Sequence, residues 1–562
     1  LIVAPAYALA LALLVTAPLL APGYLLLRDA VSTPRSYLSD SALGLSEAAP
    51  RALPQDFAVA LASWLIDGGV VVKALLVVGL FLAGWGAARL TAAVLPEAGV
   101  AGQLVAVTLA VWNPYVAERL LQGHWSLMVG YGCLPWVATV MLSLRTSAGS
   151  PWVGACALTF WIALAGLTPT GLMMAATVAV ACVLAPGAGR PRWWCSAVAL
   201  CAAVLVAFPW LVAAEQSGSL SSTQAEGVHA FAARAEPGLG TLGSLASLGG
   251  IWNADAVPAS RTTLFAILAA LVLLGVVALG LPAVVRRPAA VPLLILAAVA
   301  VAVPAAMATG PGIAFVEATI RALPGLGVVR DAQKWVALAV PAYSLAGAAV
   351  VVTLRHRFPV AAITLACCAA LMATLPDLAW GVGGRLVPVK YPAAWAAVST
   401  LINNDPRPVA VLPVDNMRRF AWAGDAPVLD PMPRWVRADV LTTGDLMIGG
   451  RTVPGEGDRA RDVERLLLAG ADRNKLATAG VGWVVVESDW ATGHSPSLPL
   501  PVAYHDEDLT LYRVGGDHSA APGRGIVLAA HWVWLGLLIL SGVLTVLPRR
   551  LHQSGVRSMP AY

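Results

Sequence analysis

Charge is scarce in this chain. Asp, Glu, Lys and Arg make up 12 % of the 562 residues, about half the share of an ordinary soluble domain. A sequence that is 58 % hydrophobic, with mean hydropathy +0.76, cannot hide its apolar surface in one water-soluble core, so it reads as a polytopic membrane protein. No G-x-x-x-x-G-K-[ST] occurs, which argues against an ATP-driven pump. Ionisable residues are scarce in the interiors of the apolar runs, and Lys73 lies near one end of its run. That scarcity argues against a proton- or ion-coupled transporter, as does the lack of a visible repeated half. No cysteine falls in a polar stretch: Cys133, Cys156, Cys182, Cys195, Cys201, Cys367 and Cys368 all lie in or beside apolar segments. No disulfide framework is therefore expected in any external domain. The net charge of +5 says little, because membrane proteins gather Lys and Arg at one face, and nucleic acid is not expected as a partner.

What is present is a series of apolar runs near the length a membrane helix needs, about 20 residues. The runs at 3–26, 70–94, 100–113, 125–144, 151–168, 170–186, 195–214, 263–283, 289–309, 336–354, 358–376 and 524–547 predict twelve spans. The run at 100–113 is short. Pro169 divides 151–168 from 170–186, with a single kinked helix as the rival reading. The positive-inside rule selects twelve, with both termini inside. Arg89, Arg145, Arg190, Arg192, Arg286, Arg287, Arg355, Arg357, Arg549, Arg550 and Arg557 then share one side, with Glu97 as the only acid among them. The first run, 2–27, is longer than a signal-peptide core and lacks a clear small-residue cleavage site, which predicts a retained helix.

The expected organisation is a membrane core over 1–376 with external loops 27–69, 215–262 and 310–335, an external domain over 377–523, and a last helix with a basic cytoplasmic tail over 524–562. In 377–523 the apolar runs shorten to strand length at 409–413, 482–486 and 509–513, with helical stretches at 394–402 and 459–468 between them. That alternation predicts a small α/β domain.

Three charged clusters converge on the external side. Arg28 and Asp29 open the first loop, which also carries Asp40 and Glu47. Glu118, Arg119 and His124 lie in WNPYVAERLLQGHW, and Arg330, Asp331 and Lys334 in GVVRDAQKW. A pocket lined by carboxylates, a histidine and cations suits group transfer from a phosphate-bearing lipid. A carboxylate takes the proton of an attacking hydroxyl, and Arg or Lys holds the phosphate leaving group. Each cluster also has a structural reading: an interfacial ion pair at Arg28-Asp29, a local salt bridge at Glu118-Arg119, an interfacial anchor at His124, and a solvated helix start at Arg330 and Lys334. No H-x-x-x-H or tight acidic pair argues for zinc or magnesium, and Asp29 is followed by Ala30 and not by a second acid.

With these pieces in place, the chain resembles the GT-C class of glycosyltransferases, multi-helix membrane enzymes that use polyprenyl-phosphate sugars. The stretches RDAVSTPR, WNPYVAERLLQGHW and VVRDAQKW carry the likeness to actinobacterial envelope proteins of this type. The class places a catalytic acid in the first external loop just after the first helix, and Asp29 is the matching position. It often carries a C-terminal external domain, matching 377–523. Many members have a further acid in the second loop; only Glu118 fills that place here, which leaves use of a divalent metal open. The resemblance implies a polytopic α-helical fold of about twelve spans with a C-terminal extracytoplasmic α/β domain, in the cytoplasmic membrane. It implies inverting transfer from a lipid-linked sugar donor to an envelope glycan, glycolipid or protein. Asp29 and Glu118 would be catalytic, Arg330, Lys334, Arg119 and His124 would bind the donor phosphate, and Arg28, Asp40 and Glu47 would face the acceptor. The rival reading is a non-catalytic membrane scaffold or transport partner in envelope assembly.

Overall fold

The computed structural model describes residues 2–47, 52–147, 149–217, 225, 227–323, 325–413, 416–448, 451–488, 497–517 and 521–556; Arg557 of the expected basic tail lies outside them. Among the described residues, eight helices are long and apolar enough to cross a membrane: Val3–Leu20, Gly68–Val94, Pro96–Leu121, Trp125–Thr146, Arg192–Gln216, Phe265–Val285, Ala332–Leu354 and Arg524–Leu547. Two pairs reach that length only together and are sharply bent, Val291–Met307 with Gly310–Ala322 at 93° and Val360–Ala373 with Pro376–Gly384 at 75°. The count is thus eight, or ten with the bent pairs, where twelve were expected.

The difference is one of length. Pro151–Ala165 and Pro169–Val183 are separate helices of 15 residues each. At 1.5 Å per residue, each is about 22 Å long, short of a hydrocarbon core of about 30 Å. The break between them is built into the sequence. The Thr168 hydroxyl accepts from the Gly171 N–H at 3.0 Å, and Pro169 sits at the first helical position, where its missing N–H costs nothing.

The centre of the bundle is the pair Gly68–Val94 and Trp125–Thr146. A Cβ on Gly132 would lie 2.3 Å from the Gly79 carbonyl oxygen, so the two backbones approach as only small residues allow. Lys73 donates to the carbonyls of Ala21 and Gly23, both at 3.0 Å, which fixes the end of the first helix against the second.

The first apolar run is not one helix. Val3–Thr16 is followed by a short turn at Ala17–Leu20, and Pro22 and Gly23 redirect the chain into a strand, Tyr24–Leu27. That strand pairs antiparallel with Ala30–Val31 and with Pro388–Val389. Because Leu27 pairs with Ala30, Arg28 and Asp29 are the two residues of a hairpin turn. The expectation that Asp29 issues directly from a rigid helix is corrected: a β-turn presents it, with Arg28 at φ 49°.

The C-terminal region forms a five-stranded sheet in the order Val502–His505, Leu509–Arg513, Trp483–Glu487, Val409–Leu412, Val440–Leu441. The last three strands run parallel, and Leu509–Arg513 is antiparallel to both of its neighbours. Alternate side chains point to opposite faces. Val409, Val411 and Val485 pack with Trp395, Val398 and Ile402 of the helix Ala393–Asn404. Ala410, Val484 and Val486 pack with Val463, Leu467 and Leu476 of the helices Asp458–Leu468 and Arg473–Thr478. The expected strands are therefore present, flanked by helices on both faces. Leu446–Ile448 and Arg451–Val453 pair antiparallel as a separate two-stranded sheet.

Candidate active site

The Arg28-Asp29 turn lies against a second turn, Gln122-Gly123-His124, which joins the helices Pro114–Leu121 and Trp125–Thr146. The first of these starts cleanly, with the Asn113 side chain accepting from the Val116 N–H at 3.1 Å and Pro114 at its first position. The two turns are joined through backbone, Asp29 N–H donating to the Gln122 carbonyl at 3.1 Å.

Arg28 is buried. Its guanidinium donates to the carbonyls of Leu121 at 2.6 Å and Asp255 at 2.8 Å. Its backbone exchanges hydrogen bonds with Pro427 and Leu429 of the C-terminal unit, each at 2.9 Å. Arg28 thus ties the first loop to three other segments.

Beside these turns opens a cavity of about 780 Å³. The side chain of Asp29 is 36 % exposed there. Its Oδ2 accepts from His124 Nε2 at 2.9 Å and from Gln122 Nε2 at 3.1 Å. Burial works to raise the Asp29 pKa, but His124, Gln122 and the Lys334 charge outweigh it and hold the carboxyl below its ordinary value. Burial lowers the His124 pKa, and the nearby Lys334 and Arg119 charges add to that against the pull of Asp29, so the ring is neutral at pH 7. Lys334 lines the cavity with its ammonium 3.5 Å from Asp331 Oδ2, and Arg330 lines it with its guanidinium 4.3 Å from the centre of the Phe231 ring.

Arg119 does not line the cavity. Completely buried, it makes a two-point contact with Asp331, Nη1 to Oδ2 at 2.8 Å and Nη2 to Oδ1 at 3.1 Å, and also bonds Gln333 Oε1. Burial raises the Asp331 pKa, but Arg119 and Lys334 together hold it well below the usual carboxylate range. Glu118 is also completely buried and away from the cavity. Its carboxylate accepts from the backbone of Gly250 and Ile251, both at 3.1 Å, and from Gln333 Nε2 at 2.9 Å. That is the position of a loop anchor and not of a group facing a substrate. Asp40 pairs with Arg524 at the foot of the last helix and accepts from the Ala521 N–H at 3.2 Å. Glu47 accepts from the Arg459 N–H at 2.9 Å. Neither reaches the cavity, so both hold the first loop to the C-terminal part of the chain.

The structure therefore brings Asp29, His124, Lys334 and Arg330 to one cavity and sets Glu118, Arg119, Asp40 and Glu47 around it as supports. Sequence reasoning did not reach Gln122 and Gln333, which hold Asp29 and Arg119, although each stands within three residues of a charge in its cluster. It also missed Arg419 and Arg434, which the C-terminal unit contributes to the lining. Arg434 reaches Asp56 of the first loop at 3.3 Å. Trp210 and Thr170, from apolar helices, also line the cavity. Among the described residues no group of three or more His, Cys, Asp or Glu converges as metal ligands would.

No protein-family model and no curated protein matches the chain. Solved structures do match its fold. The cryo-EM structure of the arabinofuranosyltransferase AftD from Mycobacteria aligns with TM-score 0.59 and 19 % identity, over 92 % of this chain and 40 % of that one. A mutant of the same enzyme aligns with TM-score 0.51 and 18 % identity, over 92 % and 42 %. The chain thus spans about two-fifths of the length of the solved enzyme it matches. At this identity the likeness carries the fold alone: over the aligned part, the chain shares the architecture of the solved arabinofuranosyltransferase.

Proposed function

We propose that the cavity is the site of inverting glycosyl transfer from a polyprenyl-phosphate sugar to an envelope glycan, glycolipid or protein, at the outer face of the cytoplasmic membrane. The observation that carries this reading is the Asp29 carboxylate, kept ionised by His124 and Gln122 and facing a cavity that Lys334 and Arg330 line. In a single displacement the acceptor hydroxyl oxygen bonds to the anomeric carbon as the bond from that carbon to the phosphate oxygen breaks. The hydroxyl proton passes to Asp29. The bonding pair leaves with the phosphate, whose charge Lys334 and Arg330 balance. One displacement inverts the anomeric centre.

Two features support the membrane setting. A lining drawn both from apolar helices and from the C-terminal unit suits a lipid-borne donor meeting a water-borne acceptor. Arg287 pairs with Glu97, whose carbonyl accepts from Arg355 at 3.4 Å, so basic loops expected inside the cell meet one another.

The name of the solved neighbour makes a polyprenyl-phosphate arabinofuranose the first donor to test, with mannose next. The purified chain, reconstituted in bilayers with each donor and an envelope-glycan acceptor, transfers sugar with inversion on this reading. Absence of transfer from every polyprenyl-phosphate sugar would favour the scaffold role.

A further inference from the structure

We propose that Arg119 fixes the tautomer of His124, and through it selects the one oxygen of Asp29 that takes the acceptor's proton; this rests on the proposed transfer reaction. Arg119 Nη1 lies 3.3 Å from His124 Nδ1. A guanidinium has donors and no acceptor, so Nδ1 is the bare nitrogen and accepts. The single proton of the ring is then on Nε2, which donates to Asp29 Oδ2 at 2.9 Å. Gln122 Nε2 donates to that same oxygen at 3.1 Å. Asp29 Oδ1 receives no hydrogen bond among the described residues, and it is the oxygen left to accept from a substrate hydroxyl.

The arrangement is held from behind. Arg119 cannot turn away from the ring, because Asp331 takes both of its terminal nitrogens and Gln333 Oε1 takes one of them again. Gln333 in turn has its amide orientation set by donation to Glu118 Oε2 at 2.9 Å. Glu118, Gln333, Arg119 and His124 thus form one chain of hydrogen bonds ending at Asp29. Arg119 and Lys334 are the cations facing His124, and Asp29 and Asp331 are the anions. A second ring proton would have to sit on Nδ1, pointing at Arg119. In the transfer step the proton therefore goes to Asp29 Oδ1, and the imidazole neither gains nor loses one. His124 and Arg119 are positioning residues and do not bind phosphate.

The test uses the full chain in bilayers with ¹⁵N-labelled histidine. The signals of His124 are those lost in His124→Gln. The expected spectrum shows a protonated Nε2 and a bare Nδ1, unchanged between pH 5 and pH 8. A protonated Nδ1, or an imidazolium in that range, would overturn the proposal, and this readout needs no transferase activity. In the kinetic arm, His124→Gln keeps an amide donor that substitutes for Nε2 and cannot become charged, so kcat stays within about tenfold of wild type. His124→Leu loses about 10–100-fold in kcat, the usual range for an orienting partner, with the donor KM unchanged. Equal losses in both variants, or a raised donor KM at unchanged kcat, would assign His124 to the phosphate and contradict the proposal. If no protein transfers sugar, the function reading fails while the spectrum still decides the tautomer.

Discussion

Gly123 packs against the backbone of Ala30 so closely that a Cβ on it would lie 2.3 Å from the Ala30 nitrogen and 2.3 Å from the Leu27 carbonyl oxygen. Its φ of 86° is one that other residues rarely adopt. The two turns that carry Asp29 and His124 meet at this contact. Gly123→Ala should push them apart while the bundle still inserts. A displacement near 1 Å at a reacting group costs about 10²-fold in rate, so the expected result is a folded protein with activity reduced by about that factor. Full activity in Gly123→Ala would mean that the separation of the turns does not matter to the chemistry.

Lys334 and Arg330 supply the cavity cations nearest the Asp331 and Phe231 side of the lining. A charged hydrogen bond contributes about 1.5–3 kcal/mol, which is roughly tenfold to a hundredfold in affinity. Arg330→Ala with Lys334→Ala should weaken polyprenyl-phosphate binding by at least that much, read by equilibrium binding to the lipid. Unchanged binding would make the pair structural.

Asp439 offers a pH test of the C-terminal unit. Burial, with the charges of Asp40 and Glu47 against that of Arg459, raises its pKa to about 6, and its Oδ1 has no hydrogen-bond partner. An acid whose folded pKa is raised holds its proton more tightly when folded. Stability is therefore fullest below about pH 4 for this group and falls as pH rises through about 6. One pKa unit corresponds to about 1.4 kcal/mol, so the effect is on the order of 2–3 kcal/mol. Asp439→Asn should raise the melting temperature at pH 8 and leave it unchanged at pH 4. An equal shift at both pH values would show that ionisation is not the cause.

Asp29 was legible from the sequence, because a long apolar run ending in Arg-Asp places a charge at a membrane boundary. The reason it is held in place was not. The Pro22-Gly23 pair was the available signal that the helix stops early, and the strand after it pairs with Pro388–Val389 far along the chain. The partner of Asp29 lies 95 positions away and that of Arg119 lies 212 away. Spacing within one motif cannot reveal such contacts. Glu118 is an acid like Asp29, and only the fold separates an anchored carboxyl group from one facing a cavity. The alternating strands of the C-terminal sheet were readable because burial on two faces leaves unbroken apolar runs. The reach of Arg434 to Asp56 depends on how that unit sits over the first loop, which no local pattern encodes.

The sidedness of the chain is checked by labelling. Ala421 is exposed on the C-terminal unit and Arg286 is exposed beyond the far end of a span. A membrane-impermeant thiol reagent added to intact cells should modify Ala421→Cys and leave Arg286→Cys unmodified until the cells are opened. The reverse pattern would turn the cavity toward the cytoplasm and remove the basis for an outer-face reaction.

The most direct measurement compares Asp29→Asn with wild type in the same bilayers, following sugar transfer and donor binding together. Asn keeps the size of the side chain and a carbonyl oxygen to accept from His124, but it cannot take the proton. Loss of a positioned general base costs about 10²–10⁴-fold. The account predicts a folded, inserted protein that binds the polyprenyl-phosphate donor as wild type does and transfers sugar at least about a hundredfold more slowly. Transfer by Asp29→Asn at a rate near wild type would contradict it.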